Sequence, residues 1–285
     1  MRKTKKRTAE RRRPVEPLAV PPQTGRHRLV VIADLHCGSR TGLTPPDYQK
    51  EAFQEETYAT YADIMDDLQP IDTLVVNGDC IDVPSLRRHS FDTLESDPDK
   101  QCAMAAEAIE LARSKNLVIT AGTDSHTGMG LELERGVLDK SQLVAAKNGR
   151  QYASTTYCVK WDTVIHGKVF NFRHFLNARL SPMSRSGTGT AELVWNALRS
   201  AYGLEDRADF LIRSHVHYFL FHGTANGALI TTPSLQLPCA RYAAKECTGT
   251  VDWGVIWFDI YPDGSVQWNY EVKDFGLSRP ERVVL

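Results

Sequence analysis

The sequence lacks any apolar run approaching the roughly 20 residues that a membrane-spanning helix needs. It also lacks the apolar N-terminal segment of a secretory signal. Its six cysteines form no C-x-x-C pair and no regular framework. These absences disfavour a membrane protein, an exported protein and a disulfide-stabilised scaffold. We therefore expect a cytoplasmic protein with reduced thiols.

Charge is unevenly distributed along the chain. The 285 residues carry a net charge of −1, yet residues 1–28 contain ten Lys or Arg against Glu10 and Glu16, which gives +8 there and leaves −9 for residues 29–285. The basic segment is rich in proline and poor in core-forming residues, which predicts a disordered tail and linker. Residues 29–285 are expected to form one domain. Such a tail could bind DNA or RNA phosphates, or serve only solubility or assembly.

Three apolar segments rich in β-branched residues end in polar side chains. They are RLVVIA (28–33), IDTLVVNGD (71–79) and NLVITAG (116–122), and helical patterns separate them. This order is typical of an α/β sheet, in which ligands bind at the carboxyl ends of the strands. After residue 141, alternating segments with His-Gly, Asn-Gly and Asp-Gly turns predict hairpins. A glycine-rich segment, 184–190, precedes one further predicted helix.

Aspartate and histidine concentrate at the predicted strand ends, at Asp34, His36, Asp79, Asp82, Asp124, His126, His174, His215 and His217. Residues two apart in a strand point the same way, so Asp34 with His36, and His215 with His217, are each expected to reach one centre. Carboxylate and imidazole ligands without thiolates suit Mn²⁺, Fe or Zn²⁺. Two such ions clamp the attacking and leaving oxygens of a phosphate ester, which predicts hydrolysis by a metal-activated water.

Three blocks carry a family resemblance. DLH (34–36), GDCID (78–82) and SHVH (214–217) resemble the D-x-H, G-D-x-x-D and G-H-x-H blocks of the calcineurin-like metallophosphoesterases, in the same order. The resemblance extends from Leu29 to Val272. It implies an α/β fold, a mixed β-sandwich flanked by α-helices in four α/β/β/α layers. It also implies two divalent metal ions as cofactors. Manganese is the favoured metal, and iron, zinc and magnesium are alternatives.

The resemblance further implies a role for each matching residue. The first ion would be held by Asp34, His36 and His217. The second would be held by His174 and His215, with Asp79 bridging the two ions. Asp82 would lie outside the metal ligands and orient a ligand histidine by a hydrogen bond.

A further block, which comes third in the family's order and lies between GDCID and SHVH, departs from the family's pattern. The family has G-N-H, whereas this chain has GTDSH from Gly122 to His126. The missing asparagine ligand is replaced either by the weak hydroxyl ligand of Thr123 or by the carboxylate of Asp124, and coordination chemistry favours Asp124. His126 would then stabilise the transition state or protonate the leaving oxygen.

Two further choices remain open. His166 in VIHGKV matches the family's His-Gly, but the flanking apolar runs indicate a hairpin turn, so His174 is the favoured ligand. Cys37 and Cys80 lie beside motif residues, and small packing side chains are favoured there over thiolate ligands.

The motifs predict a metal-dependent phosphoric ester hydrolase. The basic tail favours a nucleic acid or nucleotide substrate, and hence a phosphodiesterase or nuclease over a phosphatase. The altered third block keeps a second class open, a non-catalytic metal-binding scaffold of the same fold. Metal content distinguishes the two, because the enzyme needs two ions per chain.

Overall fold

The computed structural model describes residues 25–83, 92–128, 132–177, 181–237 and 251–275, apart from the side chain of Pro182. The predicted basic tail, residues 1–28, lies outside this part except for its last four residues. Within the described ranges, no helix combines the length and the apolar character needed to cross a membrane.

The described residues alternate strands and helices in the first half and consist mainly of strands in the second. The strands are β1 (His27–Ile32), β2 (Thr73–Asn77), β3 (Asn116–Thr120), β4 (Ser154–Cys158), β5 (Lys160–Ile165), β6 (Lys168–Arg173), β7 (Phe210–Arg213), β8 (Leu220–Thr224), β9 (Gly227–Thr231), β10 (Trp253–Ile260) and β11 (Val266–Lys273). The α-helices are α1 (Ala52–Asp67), α2 (Pro98–Glu110), α3 (Asp124–Thr127), α4 (Glu132–Lys147) and α5 (Pro182–Ala201). One 3₁₀ turn covers Pro46–Tyr48.

The strands form two mixed sheets. The first has the order β11-β10-β1-β2-β3-β4, with β1 to β4 parallel and β10 and β11 antiparallel to their neighbours. The second has the order β5-β6-β7-β9-β8, with β6, β7 and β9 parallel. The parallel strands of each sheet therefore end at a common edge, where the candidate site residues follow them.

Alternation along β1 explains how the sheets and helices stack. Leu29 and Val31 are fully buried in a cluster that includes Phe170 of the second sheet, so this face of β1 lies between the two sheets. Val30 and Ile32 are fully buried in another cluster, which contains the apolar side chains of α1, α2 and α4. Each of these four β1 residues thus contributes to one of two cores, as a strand buried on both faces requires.

Helix α5 covers the outer face of the second sheet. Leu193 on α5 packs against a buried cluster that contains Leu211 and Leu229 of β7 and β9. The order of layers is therefore helices, first sheet, second sheet, helix. The predicted mixed β-sandwich flanked by α-helices in four α/β/β/α layers is confirmed.

Helix α5 begins earlier than predicted, because the glycine-rich segment 184–190 is helical. The hydroxyls of Thr188 and Thr190 each donate to the carbonyl four residues earlier, at 3.1 Å. A Cβ on Gly189 would lie 3.4 Å from Leu229. The absent side chain therefore lets the helix approach β9 closely, which offsets the poor helix propensity of glycine.

Glu205, just after α5, connects this helix to the edge of the second sheet. Its carboxylate accepts hydrogen bonds from Lys160, Arg173, Asn196 and Arg199 at 2.7–3.0 Å, and its side chain is only 4% exposed. Burial raises the pKa of Glu205, but the hydrogen bonds from Lys160, Asn196 and Arg199 lower it to about 2. The ionised carboxylate therefore stabilises the fold.

The substitution Glu205→Gln should lower the free energy of unfolding by about 2–3 kcal/mol at neutral pH. The folded pKa lies below the ordinary value of 4.5, so this contribution is present above pH 4.5 and disappears as the pH falls toward 2. Urea denaturation at several pH values measures the difference. Glu271→Gln, at a surface ion pair with Lys273, is the control and should cost less than about 0.5 kcal/mol. A difference that does not change with pH would contradict the assignment.

Candidate metal centre

The strand ends bring acidic and imidazole side chains into one cluster. Three groups have ligand atoms that all lie within 4.8 Å of one another: Asp34, His36 and His217; His36, Asp79 and His126; and Asp79, His174 and His215. His36 and Asp79 each belong to two groups, so the three groups are continuous. They come from the ends of β1, β2, β3, β6 and β7.

The carboxylates of the cluster are fully buried and face imidazole nitrogens. Asp34 Oδ1 lies 3.1 Å from His217 Nε2, and Asp79 Oδ2 lies 3.1 Å from His174 Nε2. Within the described residues, Asp34 Oδ1 and His174 Nε2 make no hydrogen bond. Buried polar atoms without hydrogen bonds are costly. Atoms that share an ion at about 2.1 Å are separated by about 3.0–3.4 Å, so these contacts fit metal coordination.

The backbone at the candidate ligands is left-handed. Among the described residues, seven that are not glycine have a positive φ, and five of these are in the cluster, with φ between 46° and 71°: Asp34, His36, Asp79, His215 and His217. Such a conformation is costly for each residue, and it persists where surrounding structure enforces it. Its concentration at one cluster is typical of a functional site.

This conformation corrects the pairing expected from strand alternation. Asp34 and His36 do share a group, but His215 and His217 are separated, since His217 joins Asp34 whereas His215 joins Asp79. Both histidines follow the end of β7 with left-handed φ values, so the alternation rule for strands does not apply to them. The division nevertheless agrees with the roles that the family resemblance implies.

Asn77 connects four strand ends beneath the cluster and was not anticipated as a site residue. Its backbone carbonyl accepts a hydrogen bond from His174 Nδ1 at 2.7 Å, which leaves Nε2 facing the centre. Its side-chain amide donates to the Arg173 carbonyl and the Ser214 hydroxyl, and it accepts from Thr120. The available sequence signal was a lone polar residue that ends the apolar strand TLVVN.

The buried charges perturb one another in opposite directions. Burial raises the pKa of Asp79, but the nearby His174 and His126 hold it well below the ordinary value. Burial lowers the pKa of His174, but Asp79 and Asp34 raise it to about 10. The two carboxylates thus require positive charge beside them. A divalent ion supplies such charge in place of protons.

The segment GTDSH places Thr123, and not Asp124, beside the cluster. The Thr123 N–H donates to Asp79 Oδ1 at 2.6 Å, and its hydroxyl lies 3.2 Å from both Asp79 oxygens. Asp124 is exposed and belongs to none of the three groups. It begins α3 directly after Thr123, and its side chain is turned to the outside. The expectation that Asp124 completes the ligand set is therefore not met by its position.

His126 lies at one side of the cluster and is held by Asp82. Its Nδ1 donates to Asp82 Oδ1 at 2.8 Å, and its ring packs edge-on against His36, with centroids 4.3 Å apart. Its Nε2 is 3.9 Å from Asp79 Oδ2. The buried Gln101 fixes Asp82 by two backbone hydrogen bonds of 3.0 and 3.1 Å. Asp82 therefore orients His126, which is itself a member of one of the three groups.

Other residues considered from the sequence lie outside the cluster. His166 occupies the turn between β5 and β6, as its sequence context predicts. Cys37 and Cys80 are buried and belong to none of the three groups.

No protein-family model and no curated protein matches this sequence. Some solved structures are similar to this chain over most of its length. A novel archaeal phosphodiesterase is 10% identical, with 86% of this chain and 99% of that chain covered and a TM-score of 0.46. Vps29 of Entamoeba histolytica complexed with zinc is 10% identical, with 86% and 98% covered and a TM-score of 0.42. Vps29 of Cryptosporidium parvum is 11% identical, with 87% and 98% covered and a TM-score of 0.40.

The substitution Gly122→Ala should disrupt the centre, because a Cβ at this position would overlap both the backbone nitrogen and the carboxylate of Asp79. We expect the affinity for Mn²⁺ to fall by about tenfold or more, as for disturbed ligand positions generally. Calorimetric titration of the metal-free protein measures it. Gly187→Ala in α5, where a Cβ meets no atom within 4 Å, is the control and should bind Mn²⁺ normally. Unchanged binding by Gly122→Ala would argue against a centre at Asp79.

Proposed function

We propose that this chain is a dinuclear metal-dependent phosphoesterase that hydrolyses phosphodiesters of nucleic acid or nucleotides. The observation that carries the proposal is the continuous cluster of two aspartates and five histidines on strand ends, of which all but the partly buried His215 are buried. When bound, two divalent cations supply charge neutralisation at the phosphate and activation of a water. The mixture of oxygen and nitrogen ligands favours Mn²⁺, with Fe, Zn²⁺ or Mg²⁺ as alternatives.

The cluster divides into two ligand sets. Asp34, His36 and His217 would hold the first ion. Asp79, His174 and His215 would hold the second. Asp79 also groups with His36 of the first set, which supports its role as the bridge between the ions.

His126 is assigned as the catalytic histidine. Asp82 fixes its Nδ1, so its Nε2 is the nitrogen directed to the side of the cluster where Asp79 lies. In this position His126 would donate a hydrogen bond to the phosphate in the transition state or a proton to the leaving oxygen.

Two features support a nucleotidyl substrate. Phe175 follows His174 and is 55% exposed, with its ring centroid 5.0 Å from that of His215. An exposed aromatic ring beside a phosphate-binding centre is suited to stack on a nucleobase. The basic segment 1–28, with its charge of +8, would add contacts to the phosphates of DNA or RNA.

A non-catalytic metal-binding scaffold is the second candidate. Thr123 favours it, because a hydroxyl bonded to Asp79 is a weaker ligand than the amide that the family resemblance implies. A phosphomonoesterase with the same centre is a third candidate, since the cluster itself does not select between monoesters and diesters.

With Mn²⁺, the wild-type protein should hydrolyse bis(p-nitrophenyl) phosphate faster than p-nitrophenyl phosphate. His126→Gln should lower kcat by about 100-fold while two Mn²⁺ remain bound, because it removes proton transfer and not a ligand. Asp79→Asn should lower both kcat and metal binding. Nitrophenol release and metal analysis measure these effects, with His166→Gln in the exposed turn as the control.

Two bound ions without hydrolysis of either ester would favour the scaffold. Faster hydrolysis of the monoester would favour the phosphatase.

For the substrate class, Phe175→Leu should weaken the binding of a single-stranded oligonucleotide by about tenfold, with little dependence on salt, because a stacking contact is lost. Removal of residues 1–24 should weaken binding mainly at low salt and flatten the dependence on salt. Fluorescence anisotropy measures both. Phe221→Leu is the control, since Phe221 is 45% exposed but lies on β8 against Trp268. If Phe175→Leu and the protein without residues 1–24 both bind the oligonucleotide with wild-type affinity, these contacts are ruled out.

A further inference from the structure

Glu134 is a buried acid that connects two loops of the metal centre. It lies in the first turn of α4 and is fully buried. Its Oε1 accepts the N–H of Cys80 at 2.8 Å, and its Oε2 accepts the N–H of Gly122 at 2.6 Å. Cys80 directly follows Asp79, and Gly122 directly precedes Thr123. One carboxylate therefore bonds the residue that follows Asp79 and the residue that precedes Thr123.

Fold stability alone does not explain an acid at this position. Within the described ranges, no Lys, Arg or His forms an ion pair with Glu134. Its carboxylate accepts the backbone N–H groups of Cys80 and Gly122, and the Cys80 thiol also hydrogen-bonds it. Burial and the charge of Asp79 raise its pKa to about 7, against the effect of those hydrogen bonds. A buried carboxylate without a cation is costly, although it gives the two N–H groups their acceptors.

The bonds of Glu134 act together with those of Asp79. The Thr123 N–H donates to Asp79 Oδ1 at 2.6 Å, which joins the loops after β2 and β3 directly. The bonds from Cys80 and Gly122 to Glu134 join the same two loops through α4. The Cys80 carbonyl in turn accepts from the Cys37 N–H at 3.0 Å, next to His36. A shift of Glu134 would therefore change the position of Asp79 relative to His174.

We propose that Glu134 is a positioning residue of the metal centre, whose two oxygens fix the loop of Asp79 against the loop of Thr123 and thereby set the affinity for the ion held by Asp79, His174 and His215. This inference rests on the metal centre proposed above. Glu134 itself reaches the ion only through the backbone of Cys80 and Gly122.

The test is the substitution Glu134→Gln, which keeps the size of the side chain but replaces one acceptor oxygen by an amide nitrogen that cannot accept an N–H. Mn²⁺ titration should show two sites, with one dissociation constant raised about tenfold or more and the other changed less than about twofold. The electron paramagnetic resonance signal of coupled Mn²⁺ pairs should decrease accordingly. The melting temperature of the metal-free protein should fall by less than about 3 °C, since a buried charge is also removed.

Glu110→Gln is the matched control. Glu110 is a buried acid on α2 that bonds Arg150 and Tyr152, and it belongs to none of the ligand groups. Its substitution should lower the melting temperature and leave both Mn²⁺ constants unchanged. Glu134→Asp retains the charge, but its side chain is too short to reach both N–H groups. It should weaken the binding of the ion held by Asp79, His174 and His215, as Glu134→Gln does.

The outcomes separate the two proposals. If the wild-type protein binds no Mn²⁺, the metal centre and the proposed function fail. If the wild-type protein binds two ions and both Glu134 variants bind them with wild-type affinity, the positioning role is overturned and the function stands. If neither variant folds, Glu134 serves the fold, and the positioning role is likewise overturned.

Discussion

The structure depends on the proximity of two buried carboxylates. Asp34 and Asp79 are fully buried, and each has an imidazole nitrogen 3.1 Å from one of its oxygens. Removing such charges from water costs several kcal/mol per ion unless positive charge lies beside them. Two pKa shifts reflect that requirement. Burial raises the pKa of Asp79, but His174 and His126 lower it. Burial lowers the pKa of His174, but Asp79 and Asp34 raise it. The parallel strands meet it by ending at one edge, so that imidazoles from both sheets reach the same carboxylates.

Strand geometry alone could not produce this proximity. Residues two apart in a strand are separated by about 6.6 Å, more than the spacing of atoms that share an ion. The left-handed residues after β1 and β2 bend the chain so that neighbouring side chains converge. Their cost is borne by hydrogen bonds between the loops, since the N–H of Asp34 donates to the Gly78 carbonyl and the N–H of His36 donates to the Asp79 carbonyl, both at 3.0 Å. The left-handed conformation is locally unfavourable, and the hydrogen bonds that hold it in place also fix the positions of the candidate ligands.

These physical origins explain what the sequence could and could not predict. Apolar strands that end in Asp or His indicated an α/β sheet with a candidate site at its strand ends, because both depend on the common edge of parallel strands. The four-layer sandwich was implied by the family resemblance. The separation of His215 from His217 depends on φ values that no period of apolar residues encodes. Glu134 lies in the charged segment LELERG, where an acid resembles a surface residue, and α4 itself was not predicted. Its role depends on a tertiary contact with Cys80 and Gly122.

The contacts of Asp79 distinguish its two carboxylate oxygens. Its Oδ1 accepts the Thr123 N–H at 2.6 Å, and that bond occupies the oxygen on the side of the altered block. Its Oδ2 lies 3.1 Å from His174 Nε2 and 3.9–4.0 Å from His126 Nε2 and His215 Nδ1. The second oxygen is thus the one that imidazoles from different segments face. The N–H and the hydroxyl of Thr123 therefore constrain the orientation of the Asp79 carboxylate. If Asp79 held an ion, Oδ2 would be the oxygen that reaches it together with the imidazoles.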